Sequence, residues 1–232
     1  MKRSQRLNDV LYIKIYHRPD LLLIVNEART RRNAPSVFAK KTITSAELRR
    51  LKPNDAVFMA AWNADSHFYK MANQARLTAK VKSITVIQNS KLHAAFESKR
   101  KDFIAKGIPA DFIYAYHGTK NDPTVMDSIL KNNFDMKYAQ RQVHGPGHYF
   151  SEFPDVSLAY GTGLIFCQLL SGKEYKGGDL SWPGFNSKVT HSLEDFLYKF
   201  SKVVKPAAGT GHSQMVIIND SDQILPKCVI NL

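Results

Sequence analysis

Cysteines are few in this chain, acidic side chains are outnumbered, and no apolar run is long; each shortage excludes something. The two cysteines, Cys167 and Cys228, stand far apart inside apolar stretches. Two such thiols cannot make a disulfide framework and read as buried free cysteines of an intracellular protein, cytoplasmic or nuclear. His144, His148, His191 and His212 share no metal-ligand spacing with them, so no metal is expected. No apolar run approaches the ~18 residues that span a bilayer. Leu21-Leu22-Leu23-Ile24-Val25 is strand-sized, and the basic start MKRSQRLND leads into no signal-peptide core. A membrane partner is therefore not expected. Gly161-Thr162-Gly163 lacks the third glycine of a dinucleotide fingerprint, and no strand–GxGxxG–helix unit exists. Any dinucleotide would have to bind outside a Rossmann fold.

The shortage of acid is local. Over the 232 residues there are 33 Lys/Arg against 20 Asp/Glu, a net of +13. Residues 1–50 carry 12 against 4 and residues 51–100 carry 8 against 3, whereas residues 101–232 are balanced at 13 and 13. All of the excess lies in the first 100 residues. Such a segment suits a polyanion, either nucleic acid or an acidic protein surface, or is simply a solvated basic face. Residues 1–54 are read as a basic N-terminal segment of unknown role.

Hydrophobic patterning supplies the elements. Residues 10–16 and 21–25 read as short strands around Arg18-Pro19-Asp20, and residues 27–41 as a basic loop. Thr44-Ser-Ala-Glu47 is a capping box that opens a helix ending before Pro53. Val57, Phe58, Ala61, Trp62 and Phe68 give residues 55–73 helical spacing. Residues 81–87 alternate as a strand. Ser90 caps a helix with Leu92, Phe96 and Phe103 on one face, closed by Gly107. Beyond residue 110, strands are expected at 112–116, 147–150, 163–170, 215–219 and 228–232, with helices at 123–132 and 154–160. The fold class is α+β with largely antiparallel pairing.

Two stretches carry chemistry. In Ala115-Tyr-His-Gly-Thr-Lys120 a strand-like run meets a histidine and then a glycine. Either Gly118 simply begins a turn, or His117 turns a ring nitrogen into a pocket while Gly118 lets the backbone come close to a ligand. In GPGHYFSEFPDVSLAY, residues 145–160, Tyr149, Ser157 and Tyr160 follow two glycines. Two phenol rings can sandwich a flat ring, and a hydroxyl with a backbone N–H can hold an amide on it.

The order His-Gly-Thr, a helix, Asn133-Phe134-Asp135, Gly-x-Gly-x-Tyr-Phe-Ser and Ser-x-x-Tyr resembles the catalytic domain of the poly(ADP-ribose) polymerase family, the diphtheria-toxin-like ADP-ribosyltransferases. Phe166–Gly172, Gln214–Pro226 and, less specifically, Ile84–Leu92 with Phe96 continue the match over about residues 55–232. The resemblance implies a split β-sandwich of two small, mostly antiparallel sheets with flanking helices. It implies NAD+ as substrate, held by His117, Gly118, Thr119, Ser157, Tyr149 and Tyr160, with Arg141 on a covering loop at residues 137–148. The implied chemistry is transfer of ADP-ribose through an oxocarbenium-like sugar, with nicotinamide leaving, to a protein acceptor or to nucleic acid.

One position departs from the family. Chain-forming members have a glutamate where counting back from Gln223 reaches Met215; a register shifted by one reaches Gln214 instead. Neither side chain is a base. Family members of this type are mainly single-unit transferases, so Met215 stands among the catalytic positions of an expected mono-ADP-ribosyltransferase. Two other readings are an inactive module of the same fold that binds NAD or another protein, and a basic nucleic-acid-binding protein.

Overall fold

The computed structural model describes residues 37–50, 56–139, 147–174, 185–191 and 213–232. Strand β1 (Phe38–Thr44) runs into helix α1 (Ser45–Arg50), and α2 spans Ala56–Gln74. Then come β2 (Ser83–Asn89), α3 (Ser90–Ala105), β3 (Phe112–Thr119) and α4 (Pro123–Asn132). After β4 (His148–Ser151) and α5 (Pro154–Leu158) follow β5 (Gly163–Leu170), β6 (Lys173–Glu174), β7 (Phe185–His191), β8 (Ser213–Ile218) and β9 (Ile224–Asn231). The fold is α+β. The nine strands among the described residues are ordered β1-β2-β9-β5-β3-β4-β8-β7-β6, and every pair is antiparallel except β6 with β7.

This order has a weak point. β3 and β5 pair along eight residues, from Phe112↔Leu170 to Thr119↔Gly163. β3 meets β4 at one pair only, Tyr116↔Ser151. Five strands therefore stand on one side of that rung and four on the other.

Alternation sorts the side chains into layers. Every residue of β5 is buried: Leu164 and Phe166 join one cluster, Ile165, Cys167 and Leu169 another. The first cluster lies under α2, whose Phe58, Ala61, Ala64, Phe68 and Ala72 form a helical stripe. The second packs against Met126 and Leu130 of α4, with Phe134 and Phe150. Leu92, Phe96 and Phe103 of α3 cover Leu170 and Leu225, as their shared face requires.

Local signals explain most element ends. The capping box forms: Glu47 Oε2 accepts from the Thr44 backbone N–H at 2.7 Å, and Thr44 Oγ1 accepts from the Glu47 N–H at 3.2 Å. Asp122 caps α4 by accepting from Thr124 N at 2.8 Å, with Pro123 at the first position. Gly107, at φ 64, follows α3.

Four expectations need correcting, and two lie out of reach. The cap of α3 is Asn89, whose side chain accepts from Leu92 N; Ser90 Oγ instead accepts from Val37 N at 2.9 Å. The supposed loop at 27–41 contains the start of β1, which pairs with β2 along all seven residues. The boundary at 54/55 consequently divides elements of one unit, since Ile43 of β1 and Leu48 of α1 are buried in the first cluster. β9 begins at Ile224 rather than 228. Pro226 disguises it, but that residue sits beside a register shift between Phe166 and Cys167, where a proline is tolerated. The expected strands at 10–16 and 21–25 fall outside the described residues.

Asn133 ties the end of α4 to the turn that opens β9. It ends the helix at φ 71, and its amide donates to the carbonyls of Ser221 at 2.7 Å and Ile224 at 2.9 Å. Its Oδ1 accepts from Phe134 N at 3.0 Å. Asn133→Ala leaves these groups unpaired in a buried place and puts a β-carbon side chain without local hydrogen bonds at positive φ. Urea denaturation should show a loss of about 2–4 kcal/mol; an unchanged midpoint would remove this residue's structural role.

Candidate functional site

Of the expected site residues, His117, Gly118, Tyr149, Ser157 and Tyr160 lie where β3 and β4 part. Tyr116 makes the last backbone rung, and the next residue, His117, crosses the gap with its side chain. His117 Nδ1 lies 2.9 Å from the Tyr149 carbonyl oxygen on β4. A carbonyl only accepts, so Nδ1 is the donor. Burial holds this imidazole below the usual histidine range, partly opposed by that hydrogen bond. The ring is therefore neutral at neutral pH, with Nδ1 protonated and Nε2 left as an acceptor. Phe134 meets it edge-on at 4.8 Å between centroids, and Phe150 lies at 5.5 Å.

Gly118 is not a turn. β3 continues through it to Thr119, with Gly118 opposite Leu164 and Thr119 opposite Gly163. Its missing side chain accommodates α5: a Cβ there would overlap the Ser157 carbonyl oxygen. The close approach expected for a ligand is made first by the protein's own backbone. Ser157 is buried, and its hydroxyl donates to the Tyr116 carbonyl at 2.8 Å. What this hydroxyl still offers is acceptor capacity.

The phenols come next. Tyr149 on β4 stands opposite Ile217, two residues along from the Ser151↔Met215 pair, so Tyr149, Ser151 and Met215 share a sheet face. Tyr160, just beyond α5, is 40% exposed. Burial first, and then the neighbouring Tyr149 phenol, push its pKa above the usual tyrosine value. Its hydroxyl reaches Met215 Sδ at 3.9 Å, a weak contact. Of the two candidates for the glutamate position, Met215 is the one described in contact with a site tyrosine. Arg141 lies outside the described residues, as does most of the covering loop; Lys137, the loop's first residue, pairs with Asp135 at 2.8 Å. No group of three or more metal-ligating side chains occurs among the described residues. None of their helices is long and apolar enough to cross a membrane.

Two histidines belong to this neighbourhood that the motifs did not place. His67 of α2 lies 2.7 Å through Nδ1 from the Tyr116 hydroxyl, among Tyr114, Tyr116 and Phe166. His148, adjacent to Tyr149, is buried against Phe134, and its Nε2 has no partner. Alternation in His148-Tyr149-Phe150 is the signal for it: Phe150 faces the core, so His148 must as well. No protein-family model and no curated protein matches the sequence.

Burial lowers both pKa values to about 4; Lys70 adds to the effect at His67 and His117 at His148, where Asp135 opposes it. The unfolded chain takes up these protons near pH 6.5 and the folded chain only near 4. Stability from both residues is thus complete above about pH 6.5 and is lost as pH falls toward 4. The melting temperature should drop between pH 7 and 5, and His148→Leu, which removes one titrating group, should make the drop shallower. A flat profile in the wild type would contradict the burial of these rings. Gly118→Ala should cost about 2 kcal/mol or more by forcing α5 away from β3, measured by chemical denaturation.

Proposed function

We propose that this protein is an NAD-dependent mono-ADP-ribosyltransferase with a fold of the poly(ADP-ribose) polymerase type. It moves one ADP-ribose from NAD+ to a protein or nucleic-acid acceptor and releases nicotinamide. The observation that carries this reading is the neutral His117 at the parting of β3 and β4: Nδ1 is committed to Tyr149 and Nε2 is left as an acceptor. Gly118, Tyr149, Ser157 and Tyr160 stand around the same gap.

The residues divide the work. His117 Nε2 would accept from a ribose hydroxyl of NAD+. The Ser157 oxygen, already donating to Tyr116, would accept from the carboxamide N–H of nicotinamide. Tyr149 and Tyr160, both half-buried or partly exposed phenols, would flank the nicotinamide ring. As the nicotinamide–ribose bond breaks, the sugar becomes cationic and the departing ring neutral, so a site that holds both pieces accelerates the step by positioning. Met215 supplies no base. An acceptor carboxylate needs none, because it is ionised at neutral pH, whereas a sugar hydroxyl benefits from one. The expected product is therefore a single unit per site.

Met215 packed at the Tyr160 hydroxyl also favours a second reading, an inactive module that retains NAD or protein binding. Incubation with labelled NAD+ separates the two. Transfer of single units to protein or nucleic acid supports the enzyme, NAD binding without transfer supports the module, and long product ladders contradict both. His117→Ala and Tyr149→Ala should each lower transfer at least about tenfold. Wild-type turnover with normal NAD affinity in both would discard the assignment of these residues. Met215→Glu should not by itself yield chains.

A further inference from the structure

A second cleft shares no residue with the site above. It has a volume of about 390 Å3 and is lined by Ser45, Leu48 and Arg49 of α1 with Trp62, Asp65 and Tyr69 of α2. Trp62, Asp65 and Tyr69 follow one another at steps of three and four, so they form one stripe along α2. Trp62 leaves 45% of its surface exposed, a large flat ring open at the mouth. Asp65 Oδ1 is buried and has no hydrogen-bond partner. Arg49 is near enough for its charge to act on that carboxyl, yet no ion pair joins the two. The Tyr69 hydroxyl accepts from Val81 N at 3.2 Å, which leaves its own proton to be donated. Opposite charges thus sit unpaired in one cleft, beside an exposed aromatic ring.

Each feature is unfavourable or idle without a ligand. A carboxylate with one buried oxygen lacking a donor costs stability, and an exposed tryptophan gains nothing from water. The complementary ligand offers a flat ring, two adjacent N–H donors with an acceptor beside them, and an anion. Guanine has that edge: N1–H and the 2-amino group face a carboxylate, and O6 lies alongside as an acceptor. Stacking on tryptophan suits any base, and a guanidinium suits a phosphate. Lys80 and Lys82, next to Val81, extend positive charge along the neighbouring segment; the Lys82 backbone carbonyl accepts from Ser45 N at 2.9 Å.

We propose that the α1–α2 cleft binds a guanine nucleotide, with the base against Trp62, its N1–H and 2-amino edge on Asp65, O6 toward Tyr69 and the phosphate on Arg49. This reading is independent of the NAD site, and its test contains no NAD. Tryptophan fluorescence of the full chain would be followed on adding GMP, AMP, guanosine, a uridine hexamer, and the same hexamer ending in guanosine. Trp62→Phe assigns the signal. GMP should quench and bind at least about tenfold tighter than AMP, since adenine offers no pair of adjacent donors. Asp65→Asn should reduce GMP affinity about tenfold or more, without lowering the melting temperature, because it removes an unpartnered charge. Arg49→Gln should abolish the advantage of GMP over guanosine. If the guanosine-ended hexamer binds more tightly than GMP, the occupant is single-stranded nucleic acid; if GMP binds more tightly, it is a free nucleotide, and either ranking supports the site. Equal binding of GMP and AMP, no binding at all, or an Asp65→Asn variant that loses stability while binding is unchanged would overturn the proposal.

Discussion

Tyr116 is the residue on which both halves of the sheet depend. Its backbone makes the one rung to β4, its carbonyl receives the Ser157 hydroxyl, and its own hydroxyl meets His67. The ring is fully buried, and burial raises its phenol far above the usual range, so it is neutral at any ordinary pH. One residue, through backbone and side chain together, thus joins α2, β3, β4 and α5. Buried polar groups cost stability unless they find a partner, and the Tyr116 hydroxyl and carbonyl both do. The gap beside this rung exists because pairing stops immediately after it.

That arrangement explains why the neighbouring residues have so little freedom. His117 replaces the missing backbone rung with a side-chain bond, which sets its tautomer. Gly118 is needed because the α5 backbone lies against β3, and Gly161 is needed similarly where a Cβ would overlap the Thr119 carbonyl. Substitutions at these glycines would act through backbone displacement rather than through loss of chemistry. Tyr160 has more latitude, since it is 40% exposed and its hydroxyl meets Met215 through a weak contact.

Much of this was legible in the residues, for identifiable reasons. α4 was readable because Asp122-Pro123 starts it, and β5 because an apolar run broken only by Gln168 and flanked by glycine suits a strand buried on both faces. β1 was hidden by Lys40 and Lys41, yet lysines are what an outer strand carries, and Lys40 pairs with Asp127 of α4 at 2.6 Å. The length of β9 was hidden by Pro226, whose tolerance depends on a bulge that only pairing reveals. At the site, the clustering of His117, Tyr149, Ser157 and Tyr160 was visible through a family resemblance. The role of Gly118 was not, because the Ser157 backbone approaches it from 39 positions away in the chain. His67 was missed for the same reason: its partner is 49 residues distant.

The two thiols end up on opposite faces of adjacent strands, Cys167 of β5 in the cluster under α4 and Cys228 of β9 in the cluster under α2. Burial keeps the Cys167 thiol protonated and pushes Cys228 up to about 12. Since only the thiolate reacts, neither is a nucleophile or a target for alkylating reagents while its layer stays closed. Each cysteine is in effect a sealed clock for its own layer. The rate at which it becomes labelled measures how often that layer opens, and comparing the two rates distinguishes a helix lifting from one face from collapse of the whole sheet.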